Sequence, residues 1–285
     1  MDVLVFGGTR FVGVHLVRAL LMQGHAVTLA TRGKTPDAFG AGVERIGLDR
    51  TDGQSIRAAF KHRTFDVVYD SLAYSSNDVK TLFGAWRGMG RYIMTSTAAV
   101  YRQGPRLREN TFAPCRHPFC WCSRGGLSYA ETKRQAECAL FGEYKDIPAA
   151  AVRFPVVLGA DDYTRRMAFY VEHIVRGKAM EIDNLEDEMC YVRSDEAGEF
   201  LALLAREAFT GPINAASAGP ICIKELARYV HGKTGREMVL SPSGDAAPYN
   251  GMRAYSLDTA AAQSLGAYFS PLESWFWKLA DFYIG

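Results

Sequence analysis

The hydrophobic pattern of the first thirty residues predicts two buried strands separated by an amphipathic helix. The run Val3–Phe6 has no polar alternation and predicts a strand that is buried on both faces. Glycines follow at once, and a second apolar run at 26–30 predicts the next strand. Between them, apolar residues recur at helical spacing, at Phe11, Val14, Val17, Leu20 and Leu21. A strand, a glycine turn and a helix in this order are typical of the start of a βαβ unit.

The same alternation continues along the chain. Further strands are predicted at 43–47, 66–69, 91–95 and 147–157, and helices at 54–62, 77–86 and 129–144. Helices then follow at 163–176, 194–209, 223–231 and 272–283, and residues 213–215 are expected to return to the sheet. Because strands alternate with helices, the sequence predicts an α/β protein with a doubly wound parallel Rossmann sheet and a small C-terminal α/β domain.

Composition narrows the class of protein. The chain has 285 residues, of which 48% are hydrophobic and 22% charged, with a net charge of +2, as in globular proteins without an obligatory nucleic-acid partner. No apolar run approaches about 18 residues, so no membrane span is expected. The first strand begins at residue 2, which argues against a signal peptide, and the six cysteines lack a regular framework. We therefore expect reduced thiols and a cytoplasmic location.

The glycine turn carries the first functional prediction. Gly7 allows a tight turn and Gly13 lets the helix lie close to the strand, so that the free N–H groups at the helix N-terminus face a pyrophosphate. The pattern is G-x-x-R-x-x-G, in which Arg10 replaces the middle glycine of G-x-x-G-x-x-G. The predicted cofactor contacts here are Gly7, Thr9, Arg10, Phe11, Val12 and Gly13. The alternative is an ordinary glycine turn of another α/β protein.

The end of the second strand bears on the choice of cofactor. An acidic residue at this point would hold the ribose 2′-hydroxyl of NAD, but this chain has Arg32 followed by Gly33 and Lys34. An arginine suits a 2′-phosphate through charge-assisted hydrogen bonds, and Arg10 could reach the same phosphate from the other side. The sequence favours NADP(H), with NAD(H) possible. Two solvated surface arginines are the alternative interpretation.

Other candidate contacts lie where later strands end, since ligands of doubly wound sheets bind beyond the carboxyl ends of the strands. Asp49 and Arg50 follow the third strand, and Asp49 is suited either to an adenine amino group or to a turn or helix cap. The segment Leu72-Ala73-Tyr74 follows the fourth strand, where small residues let a backbone approach a cofactor. Thr97 ends the fifth strand. We assign 1–158 to a dinucleotide-binding domain to which 193–216 returns, and 159–192 and 217–285 to the substrate domain.

Residues 103–127 form a long predicted loop, and long loops of this kind often act as lids. The loop holds Cys115, Cys120 and Cys122, of which only the first pair approaches the spacing of metal ligands. We predict no metal site and interpret these thiols as part of a pocket wall.

The helix that follows the loop places a tyrosine and a lysine on one face. Tyr129 and Lys133 are four residues apart near the helix start. A tyrosine hydroxyl has a pKa of about 10 and is a poor base at neutral pH. An ammonium ~4 Å away, at an effective dielectric of ~20, favours the phenolate by roughly 4 kcal/mol, or about three pK units. The pair is therefore suited to general acid/base catalysis.

These motifs together resemble the extended short-chain dehydrogenase/reductases, also called the NAD-dependent epimerase/dehydratase family. The turn Gly-Gly-Thr-Arg-Phe-x-Gly is similar to a branch that includes bacterial reductase- and epimerase-like proteins and the chloroplast stem-loop-binding proteins. The resemblance covers nearly the whole chain, in segments 7–13, 96–101, 129–134, 153–159, 191–197 and 211–215.

The resemblance implies roles for individual residues. Thr97 would orient the substrate oxygen, with Ser96 as the alternative hydroxyl, and Tyr129 would donate or accept the proton. Lys133 would lower the Tyr129 pKa and hold the nicotinamide ribose, and Phe154 would be a further cofactor contact. The family often forms homodimers through helices that flank the sheet.

Two departures concern the substrate. Val156 stands where members that bind nucleotide-sugars often have Asn, and Arg193 stands where His is common. Both argue against a UDP-sugar without affecting the catalytic residues. We predict an NAD(P)-dependent oxidoreductase or epimerase that acts by hydride transfer at a carbinol or carbonyl carbon of a small molecule, with sugars and sugar nucleotides among the candidates. The alternative is a non-catalytic, cofactor-binding protein that binds RNA or acts as a sensor.

Overall fold

Twelve strands and nine α-helices make up the computed structural model, which describes residues 1–285. The strands are β1 (Asp2–Phe6), β2 (Ala26–Thr31), β3 (Glu44–Gly47), β4 (Phe65–Asp70), β5 (Met89–Thr97), β6 (Ala149–Phe154), β7 (Val156–Leu158), β8 (Ala179–Glu181), β9 (Tyr191–Arg193), β10 (Gly211–Asn214), β11 (Val239–Leu240) and β12 (Asp245–Ala246). The helices are α1 (Val12–Met22), α2 (Gly53–Phe60), α3 (Ser76–Ala85), α4 (Tyr129–Cys138), α5 (Arg166–Arg176), α6 (Ser194–Leu203), α7 (Ile223–Thr234), α8 (Ala260–Ser264) and α9 (Glu273–Ile284). None of these helices combines the length and the apolar character needed to cross a bilayer.

Seven strands pair in parallel in the order β10-β6-β5-β4-β1-β2-β3. The register places Phe6 beside Ala30 on one side and beside Asp70 on the other, so neighbouring strands end at the same edge. The predicted doubly wound parallel Rossmann sheet is confirmed, and so is the return of 213–215 to its edge. The sheet gathers the segments that follow β1, β2, β3, β4 and β5 along one rim.

The first strand explains why the sheet is covered on both faces. All four residues of Val3–Phe6 are fully buried. Val3 and Val5 pack in the core beneath α1 and α6, whereas Leu4 and Phe6 pack in the core beneath α2, α3 and α4. A strand between two helical layers needs apolar residues at every position, which accounts for its lack of polar alternation.

A third hydrophobic core lies in the C-terminal part of the chain, where α5, α7 and α9 pack together. It includes several buried aromatic residues, among them Tyr170, Tyr191, Tyr249 and Phe276. Short strands extend this region: β8 pairs with β11 and β12, and β7 pairs with β9.

Two predicted elements end earlier than expected. The predicted strand 147–157 is broken at Pro155, which has no N–H to donate to a strand ladder, so β6 stays in the main sheet and β7 joins β9. The helix predicted to reach residue 209 ends at Leu203. Arg91 donates to the carbonyls of Leu204 and Phe209, at 2.9 and 3.0 Å, which satisfies backbone groups that a longer helix would have bonded.

Candidate active site

A groove of about 650 Å³ runs along the rim where the strands end. Most of the predicted cofactor residues line it: Gly7, Thr9, Arg10, Phe11, Val12, Gly13, Arg32, Asp49, Arg50, Leu72 and Tyr74. Three predicted contacts are not in its wall, because Ala73, Phe154 and Lys133 are buried behind it, at 0%, 3% and 3% exposure. Other residues of the wall were not predicted from the sequence, among them Thr95, Arg124 and Tyr163.

The glycine turn brings backbone donors into the groove. Gly7 has a φ of 87°, and a Cβ on Gly13 would lie 2.0 Å from the Gly7 carbonyl oxygen, so this close approach of α1 requires glycine. The backbone N–H groups of Arg10, Phe11 and Val12 donate to no other group of the protein. Their position at the start of α1 fits the diphosphate of a dinucleotide, which accepts hydrogen bonds and carries negative charge.

Phe11 occupies an unusual backbone conformation at the same turn. Its φ of 49° lies in the left-handed region, which a side chain disfavours. The ring packs edge-on against Tyr163 at 6.2 Å, and the Arg10 guanidinium lies 5.7 Å from the same tyrosine ring. The turn is thus covered by the segment that follows β7.

The far end of the groove is basic. Arg32 and Lys34 are exposed there, and their charges help to lower the pKa of the nearby Asp49 carboxyl, although hydrogen bonds from Thr51 are the larger cause. Thr51 donates to Asp49 Oδ1 from its backbone N–H at 2.9 Å and from its hydroxyl at 2.7 Å. Of the two roles considered for Asp49, an adenine contact and a turn, the structure shows the turn, which Oδ1 closes. Its other oxygen, Oδ2, accepts no hydrogen bond from the protein and remains available to a ligand.

Arg50 lines the groove but directs its guanidinium into the protein. It is 4% exposed, and its Nε donates to Asp70 Oδ2 at 2.9 Å. Tyr92 donates to the same carboxylate oxygen at 2.9 Å, and Arg50 Nη1 donates to the Asp78 carbonyl at 2.8 Å. This buried group holds the rim of β4 in place and leaves little of Arg50 to face a ligand.

Lys133 does not adopt the arrangement that the spacing predicted. Its ammonium donates to the carbonyls of Ala73 and Thr95, both at 2.9 Å, and burial lowers its pKa to about 8. Burial raises the pKa of Tyr129, and the nearby Thr97 side chain partly opposes this rise. In this structure the pKa of Tyr129 is raised and the Lys133 ammonium is engaged by backbone carbonyls, so the lowering of that pKa by Lys133 stays a prediction.

Tyr74 connects the groove to these catalytic candidates. Its ring centroid lies 6.3 Å from that of Tyr129 and 4.5 Å from Lys133 Nζ. Tyr129 itself is 53% exposed, so its ring is accessible from solvent. Tyr129 and Lys133 thus flank Tyr74 in the wall of the groove, and Thr97 ends β5 two residues after Thr95, whose carbonyl accepts from Lys133. We call the three candidate residues Thr97, Tyr129 and Lys133 the catalytic corner.

A buried ion pair lies beneath the catalytic corner. Arg153 and Glu137 are fully buried, and Arg153 Nε is 3.0 Å from Glu137 Oε1. Ser96 donates to the same oxygen at 2.5 Å, which engages the alternative catalytic hydroxyl. Arg153 also donates to the carbonyls of Glu109 and Phe112, at 2.8 and 3.1 Å. The pair therefore joins β5, α4 and the loop 103–127.

The loop 103–127 lies along α4 and includes two short 3₁₀ turns. Gln135 bonds the backbone of Cys120 and of Pro118, both at 2.8 Å. His117 lies 2.8 Å from Glu131, and its hydrogen bond helps to lower the pKa of that carboxyl to about 2 against the effect of burial. Cys115 and Cys120 are exposed and Cys122 is buried, and no group of three or more metal-ligating side chains is arranged to hold an ion.

The sheet and its groove define a nucleotide-binding α/β protein of the doubly wound class. Within that class the chain belongs to the NAD dependent epimerase/dehydratase family, whose model matches residues 3–216. The family predicted from the motifs is confirmed, as is the expectation of an enzyme family of the extended short-chain dehydrogenase type.

Two relatives illustrate the range of the family. The chain is 30% identical over 245 residues to 2′-dehydrokanamycin reductase of Streptomyces kanamyceticus. The matched region covers 83% of this chain and 67% of the relative. It is 33% identical over 128 residues to chloroplast stem-loop binding protein of 41 kDa b of Arabidopsis thaliana. That match spans 39% of this chain and 34% of the relative.

Solved structures agree with the fold. The UDP-glucose 4-epimerase of Thermotoga maritima, solved with UDP-glucose, superposes with a TM-score of 0.77 at 19% identity, covering 99% of this chain and 98% of that one. The UDP-glucose 4-epimerase of Thermus thermophilus, solved with NAD, gives 0.71 at 20% identity and covers 94% of each chain. At such identities the likeness establishes the Rossmann-type fold alone.

Proposed function

We propose that this protein is an NAD(P)-dependent oxidoreductase acting at a carbonyl or carbinol carbon, with Tyr129 as the general acid/base. The observation that carries the proposal is the position of Tyr129, whose ring lies 6.3 Å from that of Tyr74 in the wall of a groove that also holds free backbone donors. Bound in that groove, a nicotinamide dinucleotide would supply or accept the hydride. The alternative to a net oxidation or reduction is an epimerisation that uses the same groups.

In the reductive direction the Tyr129 hydroxyl would act as the proton donor. A tyrosine hydroxyl carries its proton at neutral pH, and the raised pKa of Tyr129 keeps it protonated, so the proton is there to be given to a carbonyl oxygen. Thr97 would orient that oxygen through its own hydroxyl. Likeness to a reductase named for a dehydro-aminoglycoside supports a ketone of a sugar-like ring as the substrate class.

Lys133 would act through position. Its ammonium donates to the carbonyl of Ala73, which follows β4, and to that of Thr95, which lies near the end of the neighbouring strand β5. These two bonds fix the rim against which a nicotinamide ribose would lie. Its cationic contact with Tyr74 places positive charge beside the ring that separates the groove from Tyr129. The lysine would therefore preorganise the site rather than tune Tyr129 directly.

The cofactor preference is proposed to be NADP(H). Arg10, Arg32 and Lys34 line the groove, and none of them has an ion-pair partner. Arg32→Ala is expected to weaken NADP(H) binding about 10-fold or more while NAD(H) affinity changes little, since only the former carries a 2′-phosphate. Calorimetric titration of both cofactors checks this, and equal losses would contradict the assignment.

The function itself is tested by titrating the purified protein with NADP(H) and NAD(H), followed by turnover assays on cyclic ketones with Tyr129→Phe. The variant should bind cofactor as the wild type does and lose ~100-fold or more in turnover, the usual contribution of a general acid. A Phe variant with wild-type turnover would remove Tyr129 from the mechanism. Failure to bind either cofactor would overturn the proposal.

The match to a stem-loop binding protein favours one second candidate, a cofactor-binding protein that contacts RNA. With a net charge of only +2, such binding would rest on local basic residues. RNA affinity that falls steeply with salt, together with no turnover, would support this candidate over the enzyme.

A further inference from the structure

Arg124 enters the groove from a part of the chain that carries no recognised cofactor motif. It belongs to the loop 103–127, yet it lines the groove together with Gly7, Leu72 and Tyr74. Its side chain is 47% exposed. The loop 103–127 therefore places a positively charged side chain in the wall of the dinucleotide groove, in addition to the role of a lid that its length suggests.

Three contacts hold Arg124 at the groove wall. Its Nη2 donates to the Leu72 carbonyl, its Nε lies 3.3 Å from Asp78 Oδ2, and its guanidinium carbon lies 4.1 Å from the Tyr74 ring centroid. A guanidinium over an aromatic ring is attracted by the ring and still offers its N–H groups to other acceptors. Arg124 is therefore positioned without being buried.

The charge of Arg124 is only partly compensated. Its acidic neighbour Asp78 already accepts from the backbone N–H groups of Tyr74 and Ser75 and from the Ser75 hydroxyl, each at 2.9 Å. The carboxylate caps α3 and serves Arg124 only through the longer 3.3 Å contact. A doubly charged diphosphate in the groove would be a stronger partner than a backbone carbonyl.

The backbone after Arg124 allows the side chain to change partners. Gly125 has a φ of 82°, and a Cβ at Gly125 would meet nothing within 4 Å. Gly125 and Gly126 separate Arg124 from Ser128, which caps the catalytic helix α4. Movement of Arg124 therefore does not require movement of Tyr129.

We propose that Arg124 is a clasp for the dinucleotide: its guanidinium binds the phosphate on the nicotinamide side, while the glycine turn supplies backbone N–H donors to the diphosphate. On binding, the guanidinium exchanges the Leu72 carbonyl for phosphate oxygens and keeps its stacking on Tyr74. Since Tyr74 also contacts Lys133 and Tyr129, the clasp lies directly between the groove and the catalytic corner. This inference rests on the proposed function, because it requires a dinucleotide in the groove.

The test compares full and truncated cofactors by calorimetry. Arg124→Ala should weaken NADP⁺ and NAD⁺ about 10-fold, the loss expected for one charge-assisted contact. Binding of adenosine 2′,5′-bisphosphate and of AMP, which lack the nicotinamide-side phosphate, should change less than about 2-fold. Arg124→Lys keeps the positive charge but lacks the planar guanidinium, so its affinity for the dinucleotides should lie between that of the wild type and that of Arg124→Ala. Arg116→Ala, which removes an exposed arginine of the same loop, is the matched control.

Each outcome decides a different point. If the wild type binds dinucleotide and Arg124→Ala binds it equally well, the clasp is wrong and the proposed function stands. If Arg124→Ala loses the truncated ligands to the same degree as the dinucleotides, the arginine only supports the fold of the groove and the clasp is again wrong. If the wild type binds neither dinucleotide, the proposed function fails and the clasp fails with it. Thermal unfolding of each variant confirms that it is folded.

Discussion

The dinucleotide groove and the catalytic corner meet at Tyr74 but are built by different means. The groove depends on backbone: Gly7 adopts a φ of 87°, and Gly13, six residues later, leaves no room for a Cβ. The corner depends on buried charge, with Lys133 held by two carbonyls and the Arg153–Glu137 pair beneath it. The first is specified by neighbours in sequence, and the second by residues drawn from four distant segments.

The difference has energetic consequences. A glycine turn is damaged only by changes that add atoms or demand another backbone conformation. A buried ion pair is damaged by removal of either partner, because the remaining charge is left in a low-dielectric interior. The corner should therefore be the more fragile of the two regions, which the following three changes test.

The largest effect is expected from Arg153→Met. Glu137 would be left buried without its partner, and the free energy of unfolding should fall by about 3–5 kcal/mol. Urea unfolding measures the loss. Removing both charges in Arg153→Met/Glu137→Leu should recover a large part of it, whereas Lys224→Met, in an exposed pair with Glu186, should cost no more than about 1 kcal/mol. A small loss in Arg153→Met would mean that the corner does not depend on this pair.

An intermediate effect concerns pH. Because the pKa of Lys133 falls from 10.5 to about 8 on folding, the unfolded chain binds more protons between these values. The free energy of unfolding contributed by Lys133 is therefore lowest below pH 8 and rises above it, by up to about 3 kcal/mol. Denaturant unfolding from pH 7 to pH 10 measures the rise, which Lys133→Met should lack. Parallel curves for the two proteins would show that the ammonium titrates normally.

The smallest loss of stability is expected from Gly13→Ala, which breaks the groove instead of the corner. The new Cβ would lie 2.0 Å from the Gly7 carbonyl oxygen, so α1 must shift, at a cost of about 1–3 kcal/mol. Dinucleotide affinity, measured by calorimetry, should fall at least ~10-fold because the free N–H groups move with the helix. Gly84→Ala in α3, where a Cβ meets nothing within 4 Å, should instead stabilise by about 0.5–1 kcal/mol. Unchanged binding by Gly13→Ala would contradict the role of the turn.

Elements with a clear local pattern were predicted well, whereas features that depend on distant contacts were not. The strands β1, β2 and β4 were predicted nearly to the residue, because each is short, apolar and ended by turn residues. The strand through Pro155 and the end of α6 were wrong, since Pro155 redirects the chain and Arg91 bonds carbonyls far away in sequence. The contacts of Lys133 were not predictable from its spacing to Tyr129, because they are made to other strands.

Sequence by itself determined the family, the parallel sheet and the glycine turn, because each is written in patterns of adjacent or helically spaced residues. Tertiary structure alone decided where the charges point. Arg50 turns inward to Asp70, Lys133 turns to two carbonyls, and Arg124 comes into the groove from a loop without a motif. A side chain's partner depends on which distant segments the fold brings within hydrogen-bonding distance, and local patterns do not encode that distance.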